Sequence, residues 1–427
     1  MADGAAMHAL IARLYPICRS ITGDGVRQTL RILSELMPLE ISEVPSGTKV
    51  LDWTVPREWN VREAFIANSR GERVVDLRDS SLHLVSYSVP VRARMTLAEL
   101  RPHLHALPVR PDWIPYRTSY YEESWGFCLT QRRLDALEDG EYEVVIDSTL
   151  APGHLTYGEI VLPGASDEEI LISAHLCHPS LADDNLSGAV IAAFLAHHFS
   201  ARKRRRTLRF LFAPGTIGAI TWLERNRKRL DRIEAGLTLT CLGDGHPFTY
   251  KRSESGDAQV DRAAAHVLSA SGLQHQLIEF FPYGYDERQY NSPGFRLPVG
   301  SLMRGRHGKF PEYHTSADDL SFVSPERLAE SFEVLARLIG VLDGNSRYRN
   351  LAPEGEPQLG KRGLYRALGG RDIPDLQLAM LWVLNQSDGR RSLVDIAQRS
   401  GLPFGALRAA ADLLLEHGLL AEAGEGA

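Results

Sequence analysis

Two histidines, a cysteine and two aspartates are crowded into one short loop of the chain, residues 175–184. The loop follows an apolar stretch that predicts a buried strand, and it leads through Asp-Asn-Leu-Ser-Gly into an apolar stretch that predicts a helix. Imidazole and carboxylate groups at the end of a buried strand are typical ligands of a transition-metal site. A further histidine, His314, lies downstream in a second polar segment. The pattern predicts a metal site that joins His175, Asp184 and His314.

Each of these residues also has an ordinary structural interpretation. A histidine at a strand end, such as His175, is more often hydrogen-bonded within the fold than bound to a metal. An aspartate in the position of Asp184 is often a helix cap. Without a metal site, these interpretations would have to hold at three positions together, so we favour the metal site.

The apolar pattern places the loop in an α/β domain. Strand-like runs alternate with helix-like stretches, the strands at 143–146, 170–174, 208–213 and 236–242 and the helices at 185–200 and 259–272. This alternation predicts an open, mostly parallel sheet flanked by helices. The functional groups of such sheets collect in loops at the carboxyl ends of the strands, which is where the ligand candidates lie.

Two more modules are predicted. The segment 45–135 has many prolines and short alternating runs, such as 73–77 and 82–87, which predict an inserted small β-rich domain. Near the end of the chain, three helix-like segments predict a C-terminal winged helix-turn-helix. The predicted domains are an α/β metal-binding domain (1–44 and 136–350), the inserted domain (45–135) and the winged-helix domain (361–427).

The charge of the chain argues against a nucleic-acid partner. The formal net charge is −6, and residues 361–427 hold eight Lys/Arg and eight Asp/Glu. The presumed recognition helix carries a single cation, Arg408, whereas neutralising phosphates requires several. The basic run at 202–206 is interpreted as a solvated connecting turn. We expect no nucleic acid, and a structural or protein-contact role for the winged helix.

The same composition predicts a cytoplasmic protein. No apolar run reaches the length that crossing a bilayer requires, so no membrane partner is expected. The first residues lack the charged and apolar regions of a secretory signal. The four cysteines show no paired spacing, which fits a reducing compartment. The sequence does not reveal the oligomeric state, and a homo-oligomer is possible.

Several motifs resemble the signatures of the zinc aminopeptidase superfamily, which includes leucyl aminopeptidases, glutamate carboxypeptidase and glutaminyl cyclase. They are SAH ending at His175, ADDNLSG at 182–188, YHTSAD at 313–318, and residues 285–287 followed by PGFRLP. The phrases CHPSLADDNLSG, WGFC and EYHTSADDL are similar to a bacterial group with an aminopeptidase-like domain, often linked to polysaccharide or specialised-metabolite gene clusters. That group also carries an inserted small domain and a C-terminal winged helix, so the resemblance covers essentially the whole chain.

The resemblance implies the metal ligands. His175, Asp184 and His314 would bind one or two zinc ions, with Asp184 able to bridge two, and Asp244 would be a further ligand. His178 would be a reserve ligand, or would pack on Pro179 or bond a backbone carbonyl. Zinc acts as a Lewis acid on an amide carbonyl and lowers the pKa of bound water toward ~7.

Three residues are interpreted as substrate contacts, and Tyr313 is interpreted as a catalytic residue. Asp286 and Glu287 could hold the amine of an amino-acid-like substrate while Arg288 holds its carboxylate, or the three could form an ordinary polar loop. Tyr313 could donate a hydrogen bond to a developing oxyanion, or could simply pack.

Two departures from the superfamily stand out. Its peptidases usually place an aspartate two residues after the first histidine, and here that residue is Cys177, which the closer group shares and which could also be a soft ligand. After the next strand, the peptidases present a glutamate as general base and the closer group has Pro-Glu-Thr-Ile-Gly. Here Gly215 takes that place. Loss of a positioned base typically costs ~10²–10⁴ in rate, unless Asp183, Glu287 or Glu312 supplies it. The sequence could also be a Glu-to-Gly variant of an active enzyme.

The sequence therefore supports two functions. The first is a zinc-dependent, aminopeptidase-like hydrolase that acts on a small peptide or amide metabolite with metal-activated water. The second is a catalytically impaired metal-binding protein that serves as a binding or interaction module.

Overall fold

The computed structural model describes residues 3–364 and 375–423, and the chain divides into two compact units. The first unit contains Met1–Gly256 and Gln274–Glu333, and the second contains Asp257–Leu273 and Val334–Ala427. The three-domain division expected from the sequence stays a prediction.

The strands and helices of the first unit are numbered in chain order. The strands are β1 (Glu40–Pro45), β2 (Lys49–Val50), β3 (Trp53–Thr54), β4 (Glu58–Ala67), β5 (Arg73–Asp76), β6 (Val91–Thr96), β7 (Leu104–His105), β8 (Phe127–Cys128), β9 (Glu141–Ala151), β10 (His154–Leu162), β11 (Glu169–His175), β12 (Thr207–Ala213), β13 (Ile233–Leu239), β14 (Phe248–Lys251), β15 (His275–Ile278) and β16 (Val299–Met303). The helices are α1 (Gly4–Leu14), α2 (Asp24–Ser34), α3 (Leu97–Leu100), α4 (Gln131–Asp135), α5 (Gly188–Ser200), α6 (Ile217–Asn226) and α8 (Glu287–Tyr290), while α7 (Gln259–Ser271) lies in the second unit.

An eight-stranded sheet forms the centre of the first unit, in the order β1-β10-β12-β11-β13-β16-β14-β15. The four strands β12, β11, β13 and β16 are parallel neighbours, whereas β10 is antiparallel to β12 and β14 to β16. Every residue of β11 is buried, as expected for a central parallel strand covered on both faces. The predicted α/β class with a large sheet flanked by helices is confirmed, and the sheet is mixed.

A second, four-stranded sheet has the order β5-β4-β9-β6 and is antiparallel throughout. The run 143–146, expected in the large sheet, is part of β9 and pairs here instead, so that assignment was wrong. The alternating run at 82–87 does not form a strand, because a short helical turn (Ser81–His83) begins the segment and only isolated bridges follow. Alternation alone does not specify which sheet a strand joins.

The C-terminal part of the second unit has the predicted winged helix-turn-helix. The long helix α9 (Pro325–Gly344) begins in the first unit and ends in the second. The winged helix-turn-helix follows it, with the helices α10 (Asp375–Gln386), α11 (Leu393–Ser400) and α12 (Phe404–Glu416) and the strands β17 (Arg347–Asn350), β18 (Asp388–Ser392) and β19 (Leu420–Glu422). The predicted recognition helix is α12. Its Arg408 guanidinium donates to the Gly344 carbonyl (2.8 Å) and pairs with Asp412 (2.7 Å). The cation is therefore already bound within the unit.

The basic run at 202–206 is a connecting turn, but it is not simply solvated. The Arg204 guanidinium donates to the carbonyls of Phe199 (3.1 Å) and Ser200 (3.3 Å) at the end of α5. Arg206 is buried and forms an ion pair with Glu168 (3.0 Å). These contacts stabilise the turn between α5 and β12.

No helix among the described residues combines the length and the apolar character that a membrane span needs.

A buried ion-pair network joins the central strands. Arg209 of β12 is 3% exposed and contacts Glu169 of β11 (2.6 Å) and Glu159 of β10 (2.8 Å). The indole of Trp222 donates to the same Glu159 carboxylate (2.9 Å). The network joins β10 to β12 and β11, the strands that lead to Gly215 and His175.

We predict that Arg209→Met lowers the free energy of unfolding by about 3–5 kcal/mol, because two carboxylates would be left buried without their cation. Arg62→Met is the matched control, since Arg62 pairs with Asp147 on an exposed strand surface and such pairs contribute little. Urea unfolding of the full chain compares the variants. Equal losses in both would contradict the assigned role of the network.

Candidate metal centre

The site lies at the carboxyl edge of the four parallel strands. His175 ends β11, Gly215 follows β12, Cys241 follows β13 and His307 follows β16. Because parallel neighbours end at the same edge of a sheet, these four positions come together although they are far apart in the chain. The segment Ala182–Ser187, which leads into α5, adds Asp184.

The Asp184 carboxylate is the centre of the site. It is fully buried and contacts three imidazoles. Nε2 of His175 lies 3.0 Å from Oδ1, Nε2 of His314 lies 3.0 Å from Oδ2, and Nδ1 of His178 lies 3.5 Å from Oδ2. The three residues predicted from the sequence are therefore brought together, and His178 joins them.

Charge and hydrogen bonds keep Asp184 ionised. Burial alone would raise the pKa of this carboxyl, but the charge of His178 and hydrogen bonds from all three imidazoles hold it well below its usual range. The backbone amides of Asp183 and Asp184 donate to the Asp318 carboxylate (2.6 and 2.9 Å). Burial raises the pKa of Asp318 to about 7.

His175 lies in an apolar environment. Burial lowers its pKa to about 4, against the opposing effect of Asp184, so its imidazole is neutral and suited to metal binding. Its Nδ1 lies 3.3 Å from the side-chain amide of Asn185. Cys177, which replaces the superfamily's orienting aspartate, instead contacts the Tyr285 hydroxyl (3.0 Å).

His178 forms contacts through both its backbone and its ring. Its carbonyl accepts from the Arg19 guanidinium (2.9 Å), and its Nδ1 lies 3.0 Å from the Asp184 carbonyl. Burial would lower its pKa, but the Asp184 charge outweighs this effect and raises it well above the usual value. The backbone-carbonyl contact expected as one alternative is present, and the same ring nitrogen also lies near the carboxylate.

His314 adopts a left-handed backbone conformation, with φ of 55°. Its carbonyl accepts from the Tyr116 amide (2.8 Å), and its ring stacks on Tyr313 with centroids 4.0 Å apart. Tyr313 thus packs against a ligand candidate, while its predicted role as an oxyanion donor stays a prediction. The side chain of His314 is 31% exposed, so the site opens to solvent here.

Asp183 and Asp244 form a separate buried carboxylate cluster with Asp318. Burial and the neighbouring Asp244 raise the pKa of Asp183 well above its usual value. Both Asp244 oxygens already accept hydrogen bonds, Oδ1 from the His246 amide (2.6 Å) and ring (2.9 Å) and Oδ2 from the Gly305 amide (2.8 Å). The structure therefore places Asp244 behind the site, with partners of its own.

The three residues of the predicted substrate loop differ in their burial. Glu287 is fully buried, its Oε1 bound to the Lys251 ammonium (2.8 Å) and its Oε2 to the Tyr285 amide (2.9 Å). Asp286 is also buried, and burial together with the Glu287 charge raises its pKa well above the usual value. Arg288 is only partly buried, and its Nε has no hydrogen-bond partner among the described residues.

Gly215 faces a side chain that occupies the place of the missing base. A Cβ at this position would overlap the Tyr285 ring and lie 2.6 Å from its hydroxyl oxygen. The same ring packs on His175 with centroids 3.7 Å apart. The Glu312 carboxylate, another proposed source of the base, has no hydrogen bond or ion pair with the described part of the chain.

Two buried donors were missed by the sequence reasoning. Cys241 and His307 each offer a ligand atom within 4.8 Å of that of Asp184. His307 follows β16, a short strand that the apolar pattern did not reveal. The signal that pointed to this region was Asp244, three residues after Cys241.

The donors fit a transition metal. His175, His178 and Asp184 offer ligand atoms that all lie within 4.8 Å of one another, and this nitrogen and oxygen set is one that Zn²⁺ favours.

A cavity of about 280 Å³ opens beside the imidazoles. Its lining includes His178, His314, Gly215 and Tyr285, together with aromatic side chains and two arginines, Arg117 and Arg288. No aspartate or glutamate contributes to the lining. A small molecule bound here would meet both histidines and cations.

Family comparisons cover almost the whole chain. Residues 8–345 match the family described as a domain of unknown function (DUF4910), and residues 346–422 match a winged helix-turn-helix family. A relative from Clostridium acetobutylicum is 52% identical over 418 residues, which is 98% of this chain and 96% of the relative. Its name contains the words "polysaccharide biosynthesis protein with aminopeptidase-like domain".

Solved structures extend the comparison. A crystal structure described as a peptidase from Clostridium acetobutylicum matches with a TM-score of 0.92 at 50% identity, over 98% of this chain and 96% of that one. A zinc aminopeptidase from Bacillus subtilis matches with a TM-score of 0.57 at 13% identity (79% and 94%). An aminopeptidase from Aneurinibacillus matches with a TM-score of 0.52 at 14% identity (79% and 93%). The last two matches show the fold alone.

These comparisons confirm the resemblance predicted from the motifs. The zinc aminopeptidases are structural neighbours, and the family match extends over most of the chain. The chain belongs to the DUF4910 family and combines an aminopeptidase-like α/β fold with a C-terminal winged helix-turn-helix.

Proposed function

We propose that the chain is a metal-dependent hydrolase of a small peptide or amide, with zinc as the metal. The observation that carries this proposal is the buried Asp184 carboxylate, which contacts three imidazoles beside an open cavity. Zinc in the structurally similar Bacillus subtilis aminopeptidase supports the choice of metal.

The metal would be held by Asp184 with His175, His178 and His314. When bound, zinc polarises an amide carbonyl and lowers the pKa of water. Other residues of the chain position these ligands. Asp318 holds the backbone of Asp184, and Arg19 holds that of His178. Tyr116 packs edge-on against His178 and His314, with ring centroids 5.1 Å from each.

Proton transfer is the step that this site supports poorly. Gly215 offers no side chain to accept a proton, and Tyr285 occupies the space. None of the other proposed bases lines the cavity, because Glu287 is bound to Lys251, Asp183 lies in the carboxylate cluster and Glu312 is not among the lining residues. We therefore propose slow turnover, ~10²–10⁴ below that of a site with a positioned base.

A second candidate function follows from the same observation. A metal-binding protein that retains its ligand without cleaving it would need the imidazoles and the cavity but no base. The contact of Tyr285 with His175 favours this candidate, since it fills the position of the base with a packed ring.

The cavity also indicates the kind of substrate. Arg117 and Arg288 line it, and the two acids expected to hold an amine are buried elsewhere. We propose that the substrate carries an anionic group, such as a carboxylate, in place of a free α-amine. The name of the Clostridium acetobutylicum relative adds acylated sugars of a polysaccharide precursor to the substrates that should be screened.

We predict that His314→Ala weakens zinc binding by more than the roughly 10- to 100-fold that loss of a supporting hydrogen bond costs. His246→Ala is the matched control, because His246 is a partly exposed histidine that also contacts an aspartate, Asp244 (2.9 Å). Competition with a chromophoric chelator measures both affinities. Equal affinities in the two variants would exclude His314 as a ligand.

We predict that Gly215→Glu combined with Tyr285→Ala raises amide turnover by about 10²-fold or more, because the carboxylate supplies a base and the ring no longer blocks it. The control is Gly215→Gln combined with Tyr285→Ala, which has the same volume and no base. Initial rates on a panel of aminoacyl amides, N-acyl amino acids and N-acetylated sugars compare the two. Equal rates would show that a base at this position does not limit turnover.

We predict that Arg288→Met weakens binding of a carboxylate-bearing amide by about 10- to 100-fold, the worth of one charge-assisted hydrogen bond. The neutral methyl ester should bind both proteins alike. Arg296→Met is the control, because Arg296 pairs with Glu254 and does not line the cavity. Calorimetry measures binding without requiring turnover, and an unchanged affinity in Arg288→Met would argue against an anionic substrate group.

A further inference from the structure

The backbone at His314 has a conformation that its surroundings must enforce. Its φ is 55°, a left-handed value that side-chain-bearing residues adopt at a cost. Such conformations persist where the surrounding structure determines them, and they are concentrated at functional sites. The side chain of His314 is also more exposed than those of the other three ligand candidates. The contacts that hold its backbone therefore matter more here than side-chain packing.

Residues 114–116 provide these contacts from far upstream in the chain. The Tyr116 amide donates to the His314 carbonyl (2.8 Å). On the other side, the Ser316 amide donates to the Ile114 carbonyl (2.8 Å), and the Ile114 amide donates to the Ser316 hydroxyl (2.9 Å). The two segments thus meet as a short antiparallel bridge, and hydrogen bonds on both sides of the bridge fix the backbone of His314.

The same part of the chain also contacts the loop that carries the other ligand candidates. Leu181, three residues before Asp184, packs in a buried hydrophobic cluster with five side chains of the segment 81–128. The Ser180 hydroxyl oxygen lies 2.6 Å from that of Ser81. This segment therefore joins both ligand-bearing loops, although the sequence predicted it as part of a separate β-rich module.

We propose that the segment 81–128 positions the metal ligands, and that Ser316 is the positioning residue through which it holds His314. Ser316 acts through hydrogen bonds between the two segments, and its own side chain is not a ligand. The inference rests on the function proposed above, because it presumes that His314 binds the metal. It gives the inserted part of the chain a role in the metal centre itself.

A purely structural role is the alternative. Hydrogen bonds between segments contribute to the stability of a fold wherever they lie, and that contribution would not depend on the residue at position 314. A positioning role would depend on it, because Ser316 would then act on metal binding only through His314. The two interpretations differ in whether the effect of Ser316 on zinc affinity requires the imidazole.

The zinc affinity of the full-length chain, measured by competition with a chromophoric chelator, tests the proposal. We expect Ser316→Ala to weaken zinc binding about 10-fold, at the lower end of the cost of losing a group that orients a metal ligand. Ser316→Thr keeps the hydroxyl and should restore most of the affinity. Added to His314→Ala, the change Ser316→Ala should have no further effect, since coupled positions are not additive.

Ser46→Ala is the matched control. The Ser46 hydroxyl also accepts from the amide of a distant residue, Gly153 (3.1 Å), but Ser46 follows β1 at the edge of the large sheet. Its removal should leave the zinc affinity unchanged. An equal loss in Ser46→Ala would overturn the proposal, as would a full further loss when Ser316→Ala is added to His314→Ala. Near-ultraviolet circular dichroism checks that each variant is folded.

Amide hydrogen exchange of the parent protein needs no variant. Zinc should slow exchange of the Tyr116 and Ile114 amides, which donate to the His314 loop, because a bound ligand stabilises the structure that holds its site. The Gly153 amide should exchange alike with and without zinc. Unchanged exchange at Tyr116 in the zinc-bound chain would overturn this proposal alone. A parent chain that binds no zinc would contradict the proposed function as well.

Discussion

The structure of the site depends on one buried negative charge. Asp184 is fully enclosed, and an isolated carboxylate in such a place would lose its hydration without compensation. The fold compensates with imidazoles from two separate segments, which are His175 and His178 at the end of β11 and His314 far downstream. The end of β11, the turn into α5 and the loop at His314 have to meet for this to occur. The same arrangement that stabilises the charge brings together the donors that the proposed metal would need.

The volume available to side chains at the site is also constrained. Gly215 and Tyr285 form a complementary pair, because the ring fills the volume that a side chain at 215 would need. The ring also contacts His175 and, through its hydroxyl, Cys177. An interior is close-packed, so the absence of one side chain is accompanied by the presence of another. In the proposed function, metal binding and proton transfer would rely on different residues, so the two can be tested separately.

The sequence predicted those features that follow from local pattern. The strand that ends at His175, the turn at Asp184 and the winged helix could be derived from apolar periodicity and motif spacing, and the fold class was confirmed. The sequence could not predict contacts between residues that meet only because of the strand order in the sheet. Cys241 and His307 come together because β13 and β16 are parallel neighbours, and β16 is too short to be recognised. Likewise, 143–146 was correctly predicted as a strand, yet its partners are set by β4 and β6, which no local pattern specifies.

Burial explains why charged residues are the least predictable part of such a site. Glu287 and Arg288 are adjacent in the chain and seemed equally suited to a substrate, but Glu287 pairs with buried Lys251 whereas Arg288 lines the cavity. A one-residue step along a helical turn such as α8 rotates a side chain by about 100°, which is enough to move it from the interior to the cavity wall. The chemistry of the cavity therefore follows from which side of each element faces it. That side is decided by packing and not by residue type.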